Sequence, residues 1–189
     1  MSGGSFGSAA RALALLSAAS RQLAASPDLP TLYCAVESSL GELVGFRLFT
    51  ILRATPARDG LARVHSSDLQ TYPPQGVKPV GGDPWLQRLL NDSRPALSPD
   101  ADTVRQNFPD AQAIFGLGCA SVLNVPICFQ GRILGSMNLL HGAHWFGPGD
   151  AEVCQSFALL LGAAWAAGDD GLVSSSSSST GPDPAGVLS

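Results

Sequence analysis

"VLNVPICFQGRILGSMNLLH", from Val122 to His141, reads as two strands joined around Gln130-Gly131. Its register decides what kind of sheet the chain builds. A two-residue turn alone, with Phe129 opposite Arg132, mixes polar and apolar side chains on both faces of the hairpin. A three-residue loop, or a single bulge, shifts the pairing by one residue and separates them, because side chains alternate along a strand with a period of two. In that odd register Leu123, Val125, Ile127, Phe129, Ile133, Gly135, Met137 and Leu139 form one apolar face. The other face gathers Asn124, Pro126, Cys128, Ser136 and Asn138, with Asn124 directly opposite Asn138. The clean segregation selects this register. It also poses a question, since a buried amide left unpaired costs about 1–3 kcal/mol. Either the two amides bond each other and close the strands, or they read a ligand on a covered, partly polar face.

The rest of the composition frames that question. With 189 residues, 45% hydrophobic and only 14% charged, the chain has enough apolar material for one domain with a real core. Eleven basic residues stand against fifteen acidic ones, and no Lys/Arg cluster tracks a phosphate backbone, so nucleic acid is not an expected partner. Cys34, Cys119, Cys128 and Cys154 form no C-x-x-C pair, and no histidine stands at zinc-finger spacing from them. A reducing, cytoplasmic setting suits them. No segment is expected to reach the ~20 apolar residues of a membrane span, and no membrane partner is expected. Residues 1–27 contain Arg11 and Arg21 but no acid, a composition shared with organellar transit peptides. Leu13, Leu16 and Leu23 also share one helical face there, which favours a first helix of the domain. Residues 1–8 are expected to be a flexible lead, 9–168 the domain, and the Ser-rich 169–189 a disordered tail.

Helical spacing of Leu32, Val36, Leu40 and Leu43 predicts a second helix, and "FRLFTILR" with "LARVH" around "TPARDG" predicts a first hairpin. "SSDLQTYPPQGVKPVGG" reads as an irregular loop of the kind that often lines sites. Asp83-Pro84 and Ser98-Pro99 read as caps opening short helices over 84–91 and 99–107, with "RPAL" between them as a short edge strand. A helical turn near 111–115 precedes the central hairpin. A last helix, capped by Asp150 and ending at Gly168, buries Val153, Phe157, Leu160, Leu161 and Ala164.

Candidate chemistry is spread thinly over this frame. Tyr72 and Lys78 flank "PPQG", where a phenol and an ammonium suit an anionic or aromatic metabolite, and Trp85 packs beneath the same loop. With Asn124, Ser136 and Asn138 they are the candidate ligand-binding residues. Cys119, Tyr72 and His141 are the candidate nucleophile, acid or base, although a cysteine beside a strand is more commonly a small buried hydrophobe. His65, His141 and His144 fall at strand ends without a further ligand at coordinating spacing, so no metal is expected. The residues point to no particular cofactor. Trp145 is expected to staple the last loop and Trp165 to be core.

Two N-terminal helices, a hairpin, a loop region with short helices, the S-x-L-x-V-P-I segment (Ser121, Leu123, Val125, Pro126, Ile127), then "ILGSMNLL" and a closing helix resemble the GAF domain over roughly residues 9–167. The resemblance implies an α+β fold with a central antiparallel sheet of five to six strands. It places the terminal helices on one face and a ligand pocket on the other, under loops and short helices. It does not fix a ligand, since this scaffold hosts cyclic nucleotides, tetrapyrroles, haem, amino acids and other metabolites. The N-K-x-D-E signature of cyclic-nucleotide binders and a bilin-attaching Cys-His pair are not evident. Neither are the cysteine-bearing segments of free methionine-(R)-sulfoxide reductases, and no kinase, cyclase, phosphodiesterase or DNA-binding segment follows the domain. The expected function is a small-molecule sensor or binding module without a fused output domain. A small enzyme using the same pocket, and a regulatory dimer paired through the terminal helices, are the alternatives.

Overall fold

The computed structural model describes residues 3–25, 28–74, 76–79, 81, 87 and 92–176, with side chains from 9 to 168 within those spans. Helices α1 (Gly3–Ala25) and α2 (Leu29–Leu43) lead into strands β1 (Leu48–Ala54), β2 (Gly60–Ser66), β3 (Val77–Pro79) and β4 (Ala96–Ser98). Short helices α3 (Ala101–Asn107) and α4 (Ala111–Gly116) follow, then β5 (Ser121–Phe129), β6 (Arg132–His141) and the long α5 (Pro148–Ser176). The strands form one antiparallel sheet in the order β3-β2-β1-β6-β5-β4.

The central hairpin takes the odd register by way of a bulge. Gln130 and Gly131 both have positive φ, 48° and 75°, the conformation that a two-residue hairpin turn requires. Phe129 therefore does face Arg132, and the pairing slips between Ile127↔Gly135 and Cys128↔Ile133. From there Asn124 lies opposite Asn138, as the segregation of side chains demanded. The bulge corrects one detail. Leu134, rather than Ile133, packs against the main core, and Ile133 pairs with Cys128.

Strand alternation then sorts the sheet into two faces. Phe49, Ile51, Leu123, Val125, Ile127, Met137 and Leu139 point to one side. There they meet Leu32, Tyr33, Val36 and Leu40 of α2, and Cys154, Phe157, Leu161 and Trp165 of α5. Trp165 is fully buried and donates its indole N–H to the Tyr33 hydroxyl at 2.8 Å. Leu48, Val122 and Leu140 point to the other side, against Val104, Phe108, Ala111 and Ile114 of α3, α4 and the segment joining them.

Several expectations shift. The 66–82 segment is not wholly irregular, because β3 extends the sheet at its edge with Lys78 opposite Leu61. Pro79, which lacks an N–H, is tolerated on an edge strand. Ser98 ends β4 instead of capping a helix; its hydroxyl accepts from Asn107 Nδ2 at 3.0 Å. Asp100 is the cap of α3, in a reciprocal capping box with Thr103. The helix expected over 84–91, and Trp85 with it, lies outside the described residues. On α1, Leu16 and Leu23 pack on the core while Leu13 is exposed. Gly168 does not adopt the positive φ of a terminating glycine, and α5 continues to Ser176. Residues 148–168 of this helix are also long and apolar enough, by length and composition, for a membrane span, contrary to the sequence count. Its face carrying Cys154, Phe157, Leu161 and Trp165 is spent on the sheet, as in a core helix.

Gly135 marks a place where β1 and the last helix both crowd β6. A Cβ there would stand 2.1 Å from the Leu52 carbonyl oxygen and 2.8 Å from the Trp165 ring. Gly135→Ala is expected to destabilise the fold by about 3 kcal/mol or more, measured as a lowered urea midpoint with an unchanged slope.

Candidate ligand-binding site

The second face of the sheet is roofed by α3, α4 and the 67–79 segment, and a cavity of about 60 Å³ lies between them. Sheet residues Leu48, Leu52, Leu61, Val122 and Leu140 give it apolar walls, with Phe108 and Ile114 from above. By the space one water needs, ~10–15 Å³, this holds about four to six waters or a ligand of few heavy atoms.

The floor is polar and tightly bonded. Thr50, Asn138 and Asn124 stand in one row across β1, β6 and β5. Asn138 Oδ1 accepts from Asn124 Nδ2 at 2.7 Å and from Ser136 Oγ at 2.6 Å, while Asn138 Nδ2 donates to Thr50 Oγ1 at 3.0 Å. The amides in the hairpin are thus largely each other's partners. They line the cavity, but most of the capacity of Asn138 is used within the protein.

The rim is charged. Arg63, Tyr72, Lys78 and Asp110 all border the cavity. The Tyr72 hydroxyl lies 3.4 Å from Asp110 Oδ2, the Arg63 guanidinium 5.0 Å from the centre of the Tyr72 ring, and Lys78 Nζ 3.7 Å from Asp110 Oδ1. Burial, then the negative charge of Asp110, pushes the Tyr72 phenol up to about 12. A phenol so hard to ionise is a poor base at neutral pH. Burial pulls the Arg63 guanidinium below its ordinary value, opposed by Tyr72 and then by the charge of Asp110.

The structure therefore brings Asn124, Ser136, Asn138, Tyr72 and Lys78 around one cavity. Cys119 and His141 are not among its lining residues. Cys119 is buried in the apolar cluster under α4, and that burial raises its thiol pKa, the opposite of an activated nucleophile. His141 stacks on Trp145 at 3.7 Å between ring centres and accepts from the Gly142 N–H. Burial, then Arg47, lowers its pKa. Trp145 also donates to the Val44 carbonyl, so it staples the last loop to the end of α2. His65 contacts Glu37 at 2.5 Å, and among the described residues no three metal-ligating side chains converge.

Thr50, Arg63 and Asp110 were not singled out from sequence. Strand alternation placed Thr50 on the face of Leu48 and Leu52, and an arginine inside the apolar "LARVH" was a visible anomaly. Asp110 carried no such signal, since "PDA" reads as an ordinary helix start.

An antiparallel sheet with long helices on one face and a roofed cavity on the other is the arrangement that the resemblance to the GAF domain implied, and comparison with known proteins gives the same fold. The GAF domain model matches residues 28–165. The chain belongs to the GAF domain family. The GAF domain of a phosphoenolpyruvate-protein phosphotransferase from Coxiella burnetii is similar at a TM-score of 0.71 and 18% identity, covering 87% of this chain and 98% of that one. Free methionine-R-sulfoxide reductase from Neisseria meningitidis, solved with its substrate, is similar at 0.67 and 16%, over 83% and 89%. The chromophore-binding domain of a bacteriophytochrome from R. palustris is similar at 0.64 and 15%, over 86% of this chain and 62% of that one. These likenesses are to the fold. No curated protein matches the sequence.

Replacing Asn138 tests the floor. Asn138→Leu deprives Thr50, Asn124 and Ser136 of their partner at once, and each orphaned buried group costs about 1–3 kcal/mol. A loss of about 3–5 kcal/mol is expected in chemical denaturation, with Ser136→Ala costing about 1 kcal/mol.

Proposed function

We propose that this protein is a small-molecule-binding GAF module whose ligand occupies the cavity above Thr50, Asn124 and Asn138. The observation that carries this reading is the contrast between floor and rim. The floor bonds are closed within the protein, whereas the rim sets two cations, a carboxylate and a phenol around apolar walls. A few convergent polar groups over an apolar pocket is the usual build of a ligand site. Acid, base or nucleophile chemistry has less support, because the thiol and imidazole candidates lie away from the cavity and Tyr72 resists ionisation. A thermal-denaturation screen of the full chain against amino acids, small carboxylates, amines, nucleotides and purines tests the proposal. A true ligand at 100 times its Kd adds about 2.7 kcal/mol of stability. Absence of a shift with every class overturns it.

The outer helices support a second, compatible reading, self-association. Leu13 on α1 and Leu159 on α5 are 65% and 58% exposed, one large apolar side chain on each terminal helix. A dimer through these helices predicts a sedimentation coefficient that falls to the monomer value with Leu13→Glu and Leu159→Glu together. A monomer at micromolar concentration in the unmodified chain removes this reading and leaves the cavity untouched.

A further inference from the structure

The rim of the cavity holds two buried polar atoms without a hydrogen-bond partner, Arg63 Nε and Asp110 Oδ1. They are opposite in character. One is a donor on a cation and the other an acceptor on an anion, and buried groups of either kind are rarely left unpaired in a folded protein. Lys78 Nζ is an ion-pair partner of Asp110 Oδ1, but 3.7 Å is too long for a hydrogen bond.

Both groups are held in place by contacts that leave these atoms unspent. Arg63 Nη1 donates to the Pro73 carbonyl at 2.9 Å, and the guanidinium lies over the Tyr72 ring. Asp110 occupies the N-cap position of α4, and its backbone carbonyl accepts from Ala113 and Ile114, yet its side chain caps no N–H of that helix. An aspartate at this position ordinarily satisfies a helix N–H. Here its carboxylate turns instead to Tyr72 and Lys78, both of which border the cavity.

Resting on the small-molecule reading above, we infer that the ligand is a small zwitterion of amino-acid type. Its carboxylate pairs with Arg63 and Lys78, its ammonium with Asp110 Oδ1, and a compact apolar side chain sits against the leucine walls. Charge selects this class over a neutral donor-acceptor ligand, because both orphaned atoms belong to ionised groups, whose hydrogen bonds are the stronger. Two cations against one carboxylate also leave the rim with an excess positive charge, which suits a carboxylate better than a lone amine. Size agrees, since about 60 Å³ admits few heavy atoms.

The test uses the full chain and three series of probes: glycine, L-alanine and L-valine; the corresponding acids without the amine, acetate, propionate and 3-methylbutyrate; and the amines without the carboxylate. Titration calorimetry or thermal shift is expected to show binding of at least one amino acid, weakened about tenfold or more when either charged group is removed. Asp110→Asn is expected to abolish the preference for the amino acid over its deaminated acid. Arg63→Gln is expected to abolish the preference over the amine. Equal response to the acids and the amino acids, or a response to nucleotides or purines alone, overturns the zwitterion and leaves the small-molecule reading standing. Silence toward these probes overturns the zwitterion, and silence toward the nucleotides and purines of the wider screen as well overturns both. The probe series alone decides the matter if either variant fails to fold.

Discussion

Asn138 is the side chain on which the rest of the sheet depends. It sits on β6, where the β5–β6 hairpin pairs with β1, and its one amide joins three strands, accepting from Asn124 on β5 and donating to Thr50 on β1. A carboxamide can do this because it offers two donors and a two-lone-pair acceptor in one plane, and the row geometry of adjacent antiparallel strands delivers the partners at the right separation. An apolar residue there would leave the neighbouring polar groups buried and unsatisfied. The register is thereby fixed twice, by hydrophobic segregation on one face and by amide pairing on the other.

That double constraint explains the bulge. The two-residue turn at Gln130-Gly131 suits the right-handed twist of a hairpin but, without correction, misaligns Asn124 and Asn138 by one residue. One extra residue in β6 restores the alignment, at the cost of moving Ile133 off the core face and bringing Leu134 onto it. Gly135 follows immediately and lets the Leu52 carbonyl and Trp165 close over the strand. Turn, bulge and glycine are one device for placing two amides opposite each other.

What could be read from sequence follows the range of the forces involved. Strand alternation, helical spacing and the hairpin's polarity are local, and they sufficed for the antiparallel sheet, the two faces and the Asn124–Asn138 pairing. The partners brought from elsewhere were not legible. Thr50 reaches Asn138 only because β1 pairs with β6 across 88 positions of chain. β3 exists because β2 offers an open edge, and its three residues carry little strand signal of their own. Asp100 displaced Ser98 as helix cap because Asn107 bonds the Ser98 hydroxyl, a contact that closes only once β4 and α3 are folded together. The rim was half visible: Tyr72 and Lys78 stood out in a proline-rich loop, while Asp110 looked like a routine cap.

The two parts of the cavity differ in what they permit. The floor is a closed network in the middle of the sheet, where central strands and saturated hydrogen bonds resist local opening. The rim rests on an edge strand of three residues, a loop and a six-residue helix, elements with short ladders and few bonds to break. On the proposed reading, a ligand pairing with Arg63 and Asp110 would gain its interaction energy at the rim, and so would bias the positions of β3, the loop and α4 relative to the central strands. Any change that binding conveys outward is therefore expected at the roof of the cavity, and only differential contact energy between roof positions can drive it.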